Sequence, residues 1–239
     1  MPVVETPFTS TILPIGVSRL AAHPNVVTAV LVGRAGPIAV EHAGVRVTGE
    51  VLLVRPDIVH CVWLGRGADV VYLNGLAFPF DAPLAVVLKG RLEQLARRSI
   101  GGDPCAPREL RERLAFASDP LPPKIAEIIR AMQADPMRRV SQHELVRCLG
   151  MERTRALRCF KATTGLTFRR FKLWSALQHA AMRMAERELV RTAAMDAGFA
   201  DTAHLSRVFS SMFGLSPSVA IAGLDDPEAM TALARNDVG

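Results

Sequence analysis

Gly198-Phe199-Ala200-Asp201, then Leu205-Ser206-Arg207-Val208-Phe209, then Gly214-Leu215-Ser216-Pro217, is the stretch that decides the fold. Its second half has an earlier copy in Arg158-Cys159-Phe160 followed by Gly165-Leu166-Thr167. A short helical pattern precedes each Arg-x-Phe, and a glycine marks the turn in front of it, Gly150 in one copy and Gly198 in the other. The repeat predicts two helix-turn-helix units in tandem. Two such units are suited to placing two short helices in successive segments of a DNA major groove.

Helical spacing sorts the residues of each copy. After Gly150, Ala156, Cys159, Phe160 and Thr163 recur at intervals of three and four and face inward, which turns Thr154, Arg158 and Lys161 outward and leaves Leu157 at the edge. In the second copy Asp201 is a natural N-cap and Leu205, Val208, Phe209 and Met212 form the inward stripe. Ala203, Ser206, Arg207 and Ser210 remain outside. Each outward arginine lies two residues before the core phenylalanine, where a guanidinium can pair with guanine O6 and N7 or hold a phosphate. A solvated surface arginine is the alternative for each. Between the copies, Thr167 to Glu188 reads as one helix carrying Phe168, Phe171, Trp174, Leu177 and Ala181. Some twenty helical residues span about 30 Å, close to the roughly 34 Å of one DNA turn.

The charge distribution agrees. Of 239 residues, 29 are Lys or Arg and 23 Asp or Glu, a formal net charge of +6. Residues 117–239 hold 17 of the cations against 13 carboxylates. From Arg138 to Lys172 there are ten basic residues and two acidic ones, Glu144 and Glu152. Such a local field attracts phosphate, although a solvated helix face without a partner has the same composition.

The first half is built differently. β-branched runs at 26–32, 38–41, 45–48, 51–54, 58–64 and 69–73 are separated by Gly and Pro, the spacing of an antiparallel sandwich or small barrel. From Pro83 the period changes, and Leu84, Val87, Leu88, Leu92 and Leu95 predict an amphipathic helix over 84–100, followed by a second over 107–117. Their stripes are expected to pack on their own sheet or on a second copy of the chain. Three prolines within Ser118-Asp119-Pro120-Leu121-Pro122-Pro123 mark a linker. The expected organisation is α+β in two domains: an antiparallel β half-barrel with one or two helices (1–117), the linker (118–123), an all-α tandem helix-turn-helix domain (124–222) and a tail (223–239). Ser141-Gln142-His143-Glu144 is a capping box.

On the motif residues, the segment from Lys124 to Ala220 resembles the DNA-binding domain of the AraC/XylS transcriptional regulators. The resemblance runs through Phe160-Lys161, Thr164-Gly165, Ala194, Gly198-Phe199 with Asp201, Leu205 to Phe209, and Gly214 to Pro217. It implies a sequence-specific regulator whose DNA contacts are Arg153, Thr154, Leu157, Arg158 and Lys161 in the first unit and Thr202, Ala203, Ser206 and Arg207 in the second. Leu157 is apolar where the family is often polar, so the first unit either touches a thymine methyl or grips only the backbone. The run Gly49 to Pro56 followed by His60 looks like the cupin-type effector domain found before many such units. A small-molecule effector is then expected near His42, His60, Trp63 and Tyr72.

Other expectations are negative. A metal-binding cupin needs a His-x-His pair and an earlier Glu, and only Glu41-His42 is available, so no metal and no cofactor are expected. Cys61, Cys105, Cys148 and Cys159 show no C-x-x-C spacing and read as reduced cytosolic thiols. No signal sequence or membrane-length run is present, so the expected setting is a cytoplasmic homodimer acting on double-stranded DNA and RNA polymerase. Two other classes stay open: a cupin metal-dependent enzyme with an appended basic domain, and an adaptor with degenerate helix-turn-helix units.

Overall fold

The computed structural model describes residues 10–115, 122–135, 138 and 140–223. Its first half pairs into strands β1 (Ser10–Ile15), β2 (Arg19–Pro24), β3 (Thr28–Gly33), β4 (Ile38–His42), β5 (Val45–Gly49), β6 (Val51–Val54), β7 (Val59–Trp63), β8 (Ala68–Leu73) and β9 (Ala85–Val87). They form two antiparallel sheets, one in the order β1-β8-β3-β6-β9 and the other β2-β7-β4-β5. Strands β3, β6 and β8 are buried along their whole length, as expected of a sheet covered on both faces. Ala29, Leu31, Leu52, Val54 and Val70 turn toward the second sheet. Val30, Val32, Val51, Leu53 and Leu73 turn the other way, onto Leu95, Ala96, Leu110 and Leu114 of helices α1 (Arg91–Ile100) and α2 (Ala106–Leu114).

Several expectations change here. The domain is double-sheeted rather than a half-barrel, because β1, β2 and β9 join the six runs expected. Leu84, Val87 and Leu88 fit a helical period, yet Ala85–Val87 pairs with β6 (Leu52 opposite Val87, Val54 opposite Ala85). Gly90, at φ 59°, breaks the chain before α1 begins. The apolar stripes of α1 and α2 lie on their own sheet, so they are not free for a second copy. The end of the expected second helix (116–117), the first four residues of the expected linker (118–121), Arg139 and the tail beyond 223 lie outside the described residues.

The second half is helical: α3 (Pro123–Ala134), α4 (Gln142–Leu149), α5 (Arg153–Thr164), α6 (Phe168–Ala185), α7 (Val190–Asp196), α8 (Thr202–Phe213) and α9 (Pro217–Gly223). The caps follow the sequence: Ser141 accepts from the Glu144 backbone N–H at 3.1 Å, and Asp201 from that of His204 at 2.6 Å. Only half of the capping box forms, since the Glu144 carboxylate accepts from Arg138 at 2.6 Å instead. Among the described residues no helix is long and apolar enough to cross a membrane.

The two halves share one core. Tyr72 of β8 meets Trp174 of α6 edge-on at 5.1 Å and Phe213 of α8 at 5.7 Å. The Trp174 indole N–H donates to Asn74 Oδ1 at 2.7 Å, and Arg111 of α2 donates to the Asn74 carbonyl at 2.6 Å. On the edge strand β2 the Ala21 N–H donates to the Gly214 carbonyl at 2.8 Å. A Cβ on Gly214 would lie 2.5 Å from His23 Nδ1, so only glycine allows this approach. Arg170 and Asp57 add an ion pair that is partly exposed. Such pairs contribute less than about 1 kcal/mol, so the aromatic burial dominates the seam.

Beneath this contact His23 and His60 are paired across β2 and β7, with ring centroids 5.1 Å apart. They are 3% and 2% exposed. Burial lowers both pKa values, and that of His60, with His23 and His42 nearby, falls to about 4. The native state therefore keeps His60 neutral while the unfolded chain takes up a proton near pH 6.5. Stability is full above about pH 6.5 and falls by about 3 kcal/mol as pH drops toward 4. Denaturant titrations of the wild type and His60→Gln between pH 7 and pH 4 check this. The variant is expected to lose much of the slope in that window, and an unchanged slope contradicts the assignment.

Candidate nucleic-acid interface

Helix α5 forms because Glu152 caps it, accepting from the backbone N–H of Thr154 at 2.9 Å and of Arg155 at 3.2 Å. Those bonds hold the Glu152 pKa below the usual carboxylate value, with the Arg158 charge a smaller contribution. Ala156, Phe160 and Thr164 are buried, and Phe160 packs edge-on against Phe168 and Phe171 of α6 at 5.2 and 5.5 Å. That fixes the roll of the helix. Arg153, Thr154, Arg158 and Lys161 are exposed and Leu157 is half-buried.

Helix α8 is set in the same way. Leu205, Phe209 and Phe213 are buried, Phe209 and Phe213 lie 4.6 Å apart, and Phe199 meets His204 at 5.3 Å. Thr202, Ala203 and Arg207 are exposed and Ser206 is half-buried. Among the described residues neither Arg158 nor Arg207 holds an ion pair, although thirteen such pairs occur elsewhere. Both helices pack on α6, whose 18 residues span about 27 Å.

A groove of about 530 Å³ runs along the outward side of α5 to the start of α6, lined by Arg153, Arg158, Lys161 and Arg169 with Gln142 and Thr167. Gln142, Thr167 and Arg169 are absent from the set expected from sequence. Arg169 was present in the basic run, whereas the neutral Gln142 and Thr167 gave no such signal, and the position of all three depends on how α4 and α6 meet α5, which spacing does not state.

The four residues expected near an effector are dispersed. Trp63 lies on the outer face of the second sheet, since its neighbour Val62 points into the core, and it is flanked by the guanidinium groups of Arg19 and Arg46 at 5.2 and 4.7 Å. His42 is exposed on the β4–β5 hairpin and donates to the Val59 carbonyl at 2.7 Å. His60 is buried beside His23, and Tyr72 lies in the seam bordering a small apolar void with Leu13, Met184 and Phe213. A larger cavity of about 600 Å³ opens between the loops at Pro56 and Phe78 and the end of α5 at Thr164.

Residues 145–222 match a helix-turn-helix domain family. Over about nine-tenths of its length the chain is similar in structure to ToxT from Vibrio cholerae. An apo lysine-to-alanine variant of ToxT superposes with a TM-score of 0.60 at 14% identity, covering 92% of this chain and 98% of that one. The P21 crystal form gives 0.58 at 13%, covering 91% and 99%. Wild-type ToxT with an unsaturated fatty acid bound gives 0.57 at 13%, covering 91% and 96%. At such identity the likeness establishes the two-domain fold. No curated protein matches the sequence.

Because their side chains are exposed and unpaired, Arg158→Ala and Arg207→Ala are expected to shift Tm by less than about 2 °C. Phe160→Ala or Phe209→Ala removes a buried ring and is expected to cost about 3–5 kcal/mol. Thermal melts of the four variants check the assignment. Loss of stability in either arginine variant comparable to the phenylalanine variants contradicts it.

Proposed function

We propose, from the premise that this chain belongs through residues 145–222 to the AraC/XylS-type helix-turn-helix regulators, that it is a one-component transcription regulator. In this reading α5 presents Arg153, Thr154, Leu157, Arg158 and Lys161 to the duplex, and α8 presents Thr202, Ala203, Ser206 and Arg207. The observation that carries it is the equivalence of Arg158 and Arg207: each is exposed and without an ion pair among the described residues, on a helix whose core phenylalanine anchors it to the bundle. A guanidinium outside any ion pair is available to guanine or phosphate.

The first domain supplies the control. A ligand that moves β1, β2 or β8 acts on Tyr72, Asn74 and Ala21, and through them on Trp174 and Gly214. Those contacts touch the helix joining the two units and the end of the second reading helix, so a shift there changes the spacing of both units together. ToxT, the structural neighbour, has been obtained with an unsaturated fatty acid bound, which supports a small-molecule effector here. The effector seat belongs to the seam and to the neighbourhood of His60 and Tyr72 rather than to Trp63, which lies on the opposite face. We include in the proposal a cytoplasmic setting, a role without catalysis, a contact with RNA polymerase, and a homodimer. Because the stripes of α1 and α2 are used internally, contact between copies falls to their charged outer faces, where Arg91 pairs with Glu109 and Arg108 with Glu112.

Selection of bound sequences from a random duplex pool tests the reading. The wild type is expected to enrich a defined site and to lose affinity steeply with added salt. Arg207→Ala is expected to lose about 1–3 kcal/mol of discrimination at one base position. An unchanged binding profile in Arg207→Ala removes this residue from the readers, and no enrichment by the wild type overturns the regulator reading.

A further inference from the structure

The outward faces of α5 and α8 carry very different charge, and this difference rests on no property of the repeat itself. Along α5 the groove gathers Arg153, Arg158, Lys161 and Arg169 on one surface. None of them forms an ion pair among the described residues. Arg153 is held in place, its Nε donating to Gln142 Oε1 at 3.1 Å. The far wall of the groove is the first turn of α6, capped by the neutral Thr167, whose hydroxyl accepts from the Arg170 N–H at 3.3 Å. The backbone N–H groups of Phe168 and Arg169 precede that bond in the same turn, where a helix leaves its donors unmatched and its dipole favours an anion. Leu157 and the buried Phe168 line the same groove.

Helix α8 offers the reverse. Its outward surface has a single cation, Arg207, among Thr202, Ala203, Ser206, Ser210 and Ser211, and its N-terminus is capped by the exposed carboxylate of Asp201. On the preceding helix Arg191 is the exposed cation. Small side chains let a helix sink toward the floor of a major groove about 12 Å wide, where one guanidinium reaches a base edge. A face crowded with long cations meets the phosphate walls before it reaches the floor.

We infer that the groove between α5 and the start of α6 is a seat for DNA phosphates, held by Arg153, Lys161 and Arg169, and that the two units divide the work: the first grips backbone and the second reads bases. This rests on the regulator reading above and adds what each unit contributes. The first unit fixes the protein's position on the duplex without selecting sequence. Selectivity then comes from α8, centred on Arg207.

Each phosphate contact changes the slope of log K against log salt by about 0.9, which at 0.1 M salt is about eightfold in affinity. The test uses the full chain and two duplexes, one drawn from the wild-type selected pool and one of scrambled sequence, over a salt series. Lys161→Gln and Arg169→Gln are each expected to weaken binding to both duplexes by about eightfold at 0.1 M and to lower the slope by about 0.9, while enriching the wild-type site. Arg207→Gln is expected to keep most of its affinity for the scrambled duplex and to lose the preference between the two. A changed base preference in Lys161→Gln or Arg169→Gln overturns the division, as does an unchanged slope in both. Their exposed side chains leave folding intact, which a thermal melt of each variant verifies. Failure of the wild type to bind either duplex at low salt is a distinct result and removes the regulator reading with it.

Discussion

Trp174 is the contact on which the rest depends. It is 1% exposed, on the helix that joins the two helix-turn-helix units, and its ring touches Tyr72 of the first domain and Phe213 of the second reading helix. Its indole N–H would be costly to bury alone, and Asn74 Oδ1 accepts it at 2.7 Å. Asn74 also reaches Gln178 one turn further along α6, and its own carbonyl is held by Arg111. One aromatic side chain and one amide thus tie sheet, α2 and α6 into a single arrangement. A buried polar network of this kind specifies geometry because each member has few alternatives.

From this constraint the placement of the reading helices follows. Helix α6 is anchored at its start by Phe168 and Phe171 against Phe160 of α5, in its middle by Trp174, and toward its end by Ala181 and Met184. Beyond it, Arg183 pairs with Glu188 and Asp196, linking α6 to the turn and to α7. The units on either side are therefore positioned by packing rather than by a flexible connection. Contacts from β2 to Gly214 sit at the C-terminal end of α8, away from Thr202 and Ala203 at its start. The first domain holds the second unit by one end and leaves Thr202, Ala203 and Arg207 exposed.

Much of this was legible in the sequence, and the reason is periodicity. The buried Ala156 and Phe160 of α5, the buried Leu205 and Phe209 of α8, the Asp201 cap and the exposed Arg158 and Arg207 all follow from local spacing, which a helix expresses directly, while Thr164 and Phe213 take the buried ends of the stripes in place of the expected Thr163 and Met212. What stayed hidden was determined by partners distant in sequence. Ala85–Val87 is apolar at both helical and strand periods, and pairing with β6 chose the strand. Asn74 and Gln178 are ordinary polar residues in the sequence and become central only because the fold brings them together across 104 positions. The same limit dispersed the expected effector set: alternation along β7 sends Trp63 outward while the fold draws Tyr72 into the seam. The groove along α5 lay between these cases, its cations evident in the basic run and its shape set by the meeting of three helices.

In the proposed regulator, one stiff helix, α6, holds both units on the same side of one duplex. Methylation protection of guanine N7 on the selected site measures this most directly. Protection is expected in two major-groove segments about one helical turn apart on the same face. Protection confined to a single segment, or to two segments on opposite faces, contradicts it.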